Sequence, residues 1–206
     1  MRWLVTATGT LVCLHLFAHT AQCQSTRPAD LRVGKLLVAS RDLPDPNFAR
    51  TVVLLVQFSD DGVIGLIINR RSQVPVSRVL DNMAGARGRQ DAVYAGGPVG
   101  QTDILALLRA PKQPGDAKRV MGEVFLVSSK ETLEETLAAA TGPDKMHVFL
   151  GYAGWTEPQL QHEVDLGAWY IFQGSPEAVF NSEPDSLWPR LIRETEVRVA
   201  RAAAHN

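Results

Sequence analysis

The 206-residue chain holds only two cysteines, Cys13 and Cys23, and both lie within its first 23 residues. Beyond that point there is no thiol, which excludes disulfides, thiolate metal sites and cysteine nucleophiles together. Histidine is scarce as well. After residue 23 only His147, His162 and His205 remain, and no His-x-x-x-His or Glu-x-x-His spacing joins them into a helical ligand pair, so no metal site is expected. His162, beside Glu163 on an expected helix, reads as half of a solvated pair, and His147, opening an apolar strand, as a satisfied structural histidine. Runs of lysine or arginine are missing and the formal net charge is −1. Nothing in that balance steers the chain toward nucleic acid or an anionic membrane.

The usual catalytic and nucleotide motifs are also lacking. No Gly-x-Ser-x-Gly elbow presents a serine at a strained strand-to-helix turn. The segment GGPVG (96–100) lacks the Gly-x-x-x-x-Gly-Lys-Ser/Thr frame, and its proline removes one of the backbone donors a phosphate loop would use. Neither GLIIN nor GYAGW matches Gly-x-Gly-x-x-Gly. These absences leave no cofactor to expect and no residue to assign as catalytic.

What is present begins with a leader. Arg2 precedes an apolar stretch from Leu4 to Ala18, and AHTAQCQS then sets Ala21 and Cys23 at the −3 and −1 positions of a cleavage site. A signal peptide over residues 1–23 is therefore expected, with an exported, periplasmic or secreted product and no membrane association after cleavage. The apolar stretch is short for a membrane span, and Gln22 before Cys23 argues against a lipid anchor. The alternative is a start at Leu31 or Val33 and a cytoplasmic protein. A linker over 24–33, one domain over 34–195 and a fraying tail over 196–206 follow; a composition 45% apolar and 21% charged suits one sizeable core rather than two.

Within the domain, KLLVAS reads as a strand, RDLPDPNF as a polar loop and TVVLLVQF as a long strand. Turn chemistry from Ser59 to Gly62 joins it to VIGLIIN as a hairpin. Both strands are apolar nearly throughout, which suggests a sheet covered on both faces. Val76, Val79, Leu80 and Met83 suit one helix packed by a single stripe. VYA and DILALLR read as two strands around the GGPVG corner, and 111–123 as a mobile surface loop. FLVSS is a strand whose Ser128 opens a capping box with Glu131. HVFLGYAGW is the next strand, Thr156 to Gln159 repeats the capping logic, Gly167 stops that helix, AWYIF is the last strand, and helices start at Ser175-Pro176 and run from about Pro184 to Glu194.

Some loop residues exceed what turns require. Asp45, Asn47 and Arg50 follow the first strand, Asn69 and Arg70 the hairpin, and then come Gly96, Gly97 and Pro98, and Gly151, Tyr152, Gly154 and Trp155. If the strand ends lie together, glycine amides, an exposed Trp155 and the helix N-terminus at Thr156 make a pocket for a small anionic or planar ligand. The competing reading is structural: close glycine turns, Asn69 closing a strand end, Arg50 paired with Asp45, and Trp155 plugging the core.

Three segments in this order, GKLLVASRDLPDPNFARTVVLLVQFSDDGVIGLIIN, AGGPV and FLGYAGWTEPQLQHEVDLGAWY, resemble the YqgE/AlgH family from about Gly34 to Arg193. The resemblance implies a single α+β domain in which a mixed sheet curls into a small barrel with flanking helices. It implies no particular reaction. Three places depart from the family's usual pattern: Arg41 follows Ser40 where proline is usual, Arg71 follows Arg70 where proline is usual, and Thr156-Glu157-Pro158 replaces Gly-Pro-Gly. The expected function is a non-enzymatic binding or regulatory accessory protein with an unknown small ligand or protein partner. An alternative is a hydrolase or transferase with Asp45 as base and Arg50 or Arg70 holding an anion. Transcriptional regulation is the weakest, for want of a helix-turn-helix signal or basic stripe.

Overall fold

The computed structural model describes residues 24–25, 27–139 and 141–203; the expected signal peptide over 1–23 lies outside them. The strands are β1 (Gln24–Ser25), β2 (Lys35–Ala39), β3 (Val52–Ser59), β4 (Gly62–Ile67), β5 (Arg71–Pro75), β6 (Ala92–Ala95), β7 (Val99–Arg109), β8 (Lys118–Met121), β9 (Val124–Val127), β10 (Met146–Trp155) and β11 (Trp169–Gln173). The helices are α1 (Val76–Val79), α2 (Lys130–Ala138), α3 (Glu157–Asp165), α4 (Pro176–Val179) and α5 (Leu187–Ala203). One curled sheet runs in the order β1-β11-β2-β3-β4-β10-β7-β9-β8. It is antiparallel except where β6 lies parallel to β10, and the helices flank it. The result is a half-barrel in a single α+β domain.

The apolar runs behave as two-sided strands should. β2 is buried along its whole length, and so are the first five residues of β3, because helices and neighbouring strands cover both faces. Side chains then alternate between two cores. Met146 and Val148 of β10 join Leu133 and Leu137 of α2 in one, whereas Phe149, Ala153 and Trp155 join β2, β3 and β11 in the other. The hairpin forms where turn chemistry placed it, with Ser59 opposite Gly62 and Gly62 at φ +131°.

β10 is the organising strand. Its C-terminal half pairs with β4 and its N-terminal half with β7, and Phe149 and Leu150 also meet β6. β6 and β7 are therefore not a hairpin: the GGPVG corner carries the chain across β10, a connection the sequence alone cannot distinguish from a tight turn.

Five other expectations change. Residues 24–33 contribute a strand paired with β11 and a buried core residue, Leu31. The segment 111–123 contains β8, a basic edge strand with Val120 turned inward; two charges in four residues hid its alternation. The cap of α2 is Ser129, whose Oγ accepts the Thr132 N–H, rather than Ser128. Helix α5 continues past Glu194 to Ala203, since alanine and arginine are strong helix formers and no breaker intervenes. The single helix expected before β6 is one short turn, α1, followed by a 3₁₀ turn at Ala84–Ala86.

Candidate functional site

The loop between β2 and β3 is shaped by its own polar groups. The Asn47 N–H donates to Asp45 Oδ1 at 2.8 Å, an Asx turn that bends the chain after Pro44. Arg70 then reaches across from the end of β4 and donates to the carbonyls of Asn47 at 2.6 Å, Ala49 at 3.2 Å and Pro46 at 3.4 Å. Burial pulls the Arg70 pKa down, opposed by the charge of Asp45. Asn69 closes the strand end as the structural reading expected: its Oδ1 accepts the Val52 N–H at 2.8 Å and its Nδ2 donates to the Arg50 carbonyl at 3.0 Å. Arg50, the one described non-glycine residue at positive φ (57°), does not pair with Asp45. Its guanidinium lies 5.9 Å from the centre of the Trp188 ring, over which Arg41 also lies at 5.5 Å.

Pinned in this way, the loop drops Phe48 onto two tryptophans. Phe48 stacks on Trp155 with centroids 5.5 Å apart and meets Trp169 edge-on at 5.5 Å; Trp155 and Trp169 are perpendicular at 6.0 Å. Trp155 comes from the end of β10 and Trp169 from the start of β11. Between those strands α3 is capped by Thr156, whose Oγ1 accepts the Gln159 N–H. Gly167, at φ +77°, ends it in a Schellman turn, with Ala168 N–H bonded to the Glu163 carbonyl and Gly167 N–H to that of Val164. Leu160 and Val164 face the core, which leaves Glu163 turned toward the indoles. Its Oε2 accepts from Trp169 Nε1 at 2.8 Å and Trp155 Nε1 at 3.1 Å, and its Oε1 from Gln159 Nε2 at 3.0 Å.

Above this floor lies a cleft of about 540 Å³. Asp42, Asp45 and Glu163 supply its charge, Leu166 stands exposed on its rim, and no lysine, arginine or histidine is among its described lining residues. Of the expected pocket residues, Asp45, Pro98, Gly154 and Trp155 line this cleft. Asn47, Arg70 and Gly97 line a smaller hollow of about 170 Å³ that shares Pro98. Arg50, Asn69, Gly96, Gly151 and Tyr152 line neither. Trp155 is buried rather than exposed, a floor and not a lid. The sequence reading missed Asp42, Phe48, Glu163, Leu166 and Trp169, and the only local signal for them was a helix packed between two tryptophan-bearing strands.

The arrangement changes the expected ligand chemistry. An anion would need donors, yet Arg70 spends its guanidinium on three carbonyls and Arg50 lies against Trp188. Carboxylates face the cleft instead. Among the described residues no three His, Cys, Asp or Glu side chains gather closely enough to hold a metal ion, so the acidic groups suit an extended cation better than a bare one. No hydroxyl of the lining Ser40 or Tyr170 bonds to a carboxylate or imidazole there, and a nucleophile–base pair is not assembled.

His147, at the far end of β10, is not the satisfied histidine that its place in an apolar strand implied. It is buried, and its Nδ1 has no hydrogen-bonding partner. Burial pushes its pKa down to about 4, with Arg71 acting the same way and the Pro143 and Val179 backbone and Asp91 opposing. The unfolded chain therefore takes up a proton near pH 6.5 that the folded chain refuses until about pH 4. His147 costs nothing above pH 6.5 and progressively destabilises the fold as pH falls below it. From pH 7 to pH 5 this amounts to about 2 kcal/mol. Urea titrations at both pH values should show that loss, and His147→Phe should remove most of it; an unchanged pH dependence in the variant refutes the assignment.

Comparison with known proteins places the chain among others of the same design. A family model described as AlgH-like matches residues 36–200. A UPF0301 protein of Streptomyces avermitilis is 36% identical over 178 residues, covering 84% of this chain and 91% of that protein. A UPF0301 protein of Thermobifida fusca is 38% identical over 172 residues, covering 78% and 85%. Two solved structures share the fold. The crystal structure of protein DIP2367 from Corynebacterium diphtheriae superposes with a TM-score of 0.68 at 25% identity, covering 80% of this chain and 87% of that one. The solution structure of the AlgH protein from Pseudomonas aeruginosa gives 0.61 at 31% identity, covering 83% and 86%.

Proposed function

Since the chain belongs to the AlgH-like family and its own fold carries this cleft, we propose that it acts by binding and not by turnover, taking an organic cation with a flat or apolar body above Phe48, Trp155 and Trp169. The observation that carries this reading is the pairing of an aromatic floor with Asp42, Asp45 and Glu163 in a cleft without described basic lining residues. A ring face attracts a cation through its quadrupole, and carboxylates at the rim add a longer-range attraction. Glu163 already accepts three hydrogen bonds and Asp45 one, so both side chains are held in place beside the cleft. That separates the reading from the hydrolase or transferase alternative, whose anion-holding arginines face elsewhere.

Tryptophan fluorescence offers a direct test. Benzyltrimethylammonium should quench it saturably, and benzenesulfonate, of similar shape and opposite charge, should not. Asp42→Asn and Asp45→Asn should each weaken the cation about two- to fivefold, the scale of a partly exposed ion pair. Equal or tighter binding of the sulfonate, or insensitivity to both substitutions, overturns the proposal. Consumption of the bound amine, followed by NMR, would instead mark an enzyme.

A further inference from the structure

The opposite end of β10 carries a second cavity, of about 590 Å³, unconnected with the cleft in its lining residues. Eight residues separate His147 from Trp155, roughly 25 Å along a strand. One wall of the cavity is a run of three rings. Tyr94 stacks on His147 with centroids 4.5 Å apart at 23°, and Phe180 tilts against His147 at 5.1 Å and 54°. They converge from three elements: β6, β10 and the end of α4. His147 is only 7% exposed, and its Nδ1 is enclosed without a partner. An orphaned polar atom in a native interior is costly and calls for a compensating group.

The remaining lining is polar and mixed. Gln90 and Asn181 present amides; Gln90 Nε2 donates to the Gly88 carbonyl at 3.5 Å and Asn181 Oδ1 accepts the Glu183 N–H at 3.0 Å, so a Gln90 acceptor and an Asn181 donor face a ligand. Asp91 is already held by Arg89, through Nε at 2.9 Å and Nη2 at 2.6 Å. Arg71 lines the cavity and enters none of the ion pairs among the described residues. Exposed Asp144 stands at the mouth. One available cation beside one carboxylate does not suit a polyanion. An aliphatic guest would waste the amides, and a bare cation would face Arg71. A flat ring with hydrogen-bonding edges and at most one negative substituent uses every part.

We propose that this cavity binds a planar heteroaromatic ring of nucleobase type, seated against the Tyr94–His147–Phe180 wall, with Gln90 and Asn181 at its edge and Arg71 meeting a phosphate or carboxylate substituent. Stacking on aromatic walls tolerates different bases, because every base has a π-face. A half-turn of the imidazole about χ2 exchanges Nδ1 for Cδ2, so a ligand offering a complementary group can claim the orphaned nitrogen.

The test uses the full chain, titrated with AMP, UMP, adenosine, uridine, nicotinate and orthophosphate. Calorimetry reads affinity and NMR reads the His147 ring resonances. At least one ring-bearing ligand should bind with a submillimolar Kd and move those resonances, and orthophosphate should do neither. Tighter binding of the monophosphates identifies a nucleotide source; tighter binding of nicotinate identifies an aromatic acid. His147→Phe, which keeps the ring contacts and removes both nitrogens, should weaken binding about tenfold, the loss of one buried hydrogen bond. Arg71→Gln should weaken the charged ligands and spare the nucleosides. Gln90→Ala, at an exposed residue, keeps the test decisive should His147→Phe not fold, and Asp45→Asn should leave this binding unchanged. The proposal is overturned if no ring-bearing ligand binds with a submillimolar Kd, or if binding survives undiminished in Gln90→Ala and, where it folds, in His147→Phe.

Discussion

Replacing Gly97 by alanine is expected to cost the fold a large part of its stability. A Cβ at this position would stand 2.1 Å from the carbonyl carbon of Tyr152, 2.2 Å from its oxygen and 2.3 Å from the Ala153 nitrogen. All three are backbone atoms, so no rotamer change relieves the overlap. Gly96 is placed likewise, its added Cβ 2.2 Å from the Gly151 oxygen. Gly151 answers from the other side, at φ +69° with a would-be Cβ 2.7 Å from the Gly97 oxygen. Three glycines thus let the GGPVG corner lie directly on β10 where it crosses. Neither partner can retreat, because β10 is hydrogen-bonded to β4 and β7, and Gly96 joins the Leu150 carbonyl at 2.8 Å while accepting the Ile67 N–H at 2.9 Å. Separating two such backbones costs at least about 4 kcal/mol, a large part of a typical 5–15 kcal/mol stability. In thermal unfolding the midpoint should drop by about 8–16 °C or the protein should be insoluble. Gly154→Ala is the internal control: its nearest neighbour is 3.5 Å away, and its stability should match the parent. A Gly97→Ala midpoint within a few degrees of the parent would show that the crossing can relax.

That crossing also marks where the sequence stops being legible. Most strands, the α3 cap and the β3–β4 hairpin were readable because each depends on neighbours in the chain: Thr156 caps α3 through Gln159, and Gly62 turns the hairpin beside Ser59. The glycines of GGPVG and GYAGW were recognisable as exceptional but not as partners. Each could be a ligand loop or a tight turn, and only the meeting of two chain segments more than fifty residues apart makes Gly96, Gly97 and Gly151 structural. Arg70 and Asp45 were singled out as pocket residues, yet the direction of Arg70, toward carbonyls 21 to 24 residues earlier, reverses the charge of the expected ligand. The wall around His147 draws on Tyr94, Phe180 and β10 together, so no local pattern announces its missing partner. Edge strand β8 and the length of α5 failed for a different reason: their stabilising contacts are non-local, and local propensity is a weak guide there.

Glu163 is the second residue whose loss should be severe, and its case joins fold to site. As part of a His-Glu pair on an exposed helix it reads as a solvated charge, worth almost nothing. In the structure its carboxylate is the shared acceptor of two indole N–H groups and a glutamine amide, with Trp169 fully buried and Trp155 nearly so. Glu163→Ala strands both indole donors at once. An unsatisfied buried donor costs about 1–3 kcal/mol, and the open cleft lets water rescue part of Trp155, so the expected loss is about 3–4 kcal/mol. Glu163→Gln keeps one carbonyl oxygen for the indoles but surrenders the charge that strengthens these bonds and turns an amide donor toward Gln159, and about 1–2 kcal/mol should go. Glu157→Ala, which removes only the acceptor of a Gln161 contact on the same helix, should stay within about 0.5 kcal/mol. Chemical denaturation should rank the three in that order, with tryptophan emission shifting to the red in Glu163→Ala as the indoles loosen. Benzyltrimethylammonium affinity should fall with the same ranking if floor and ligand site are one unit. If Glu163→Ala proves as stable as Glu157→Ala, the carboxylate does not organise the floor, and the cleft's charge must be argued from Asp42 and Asp45 alone.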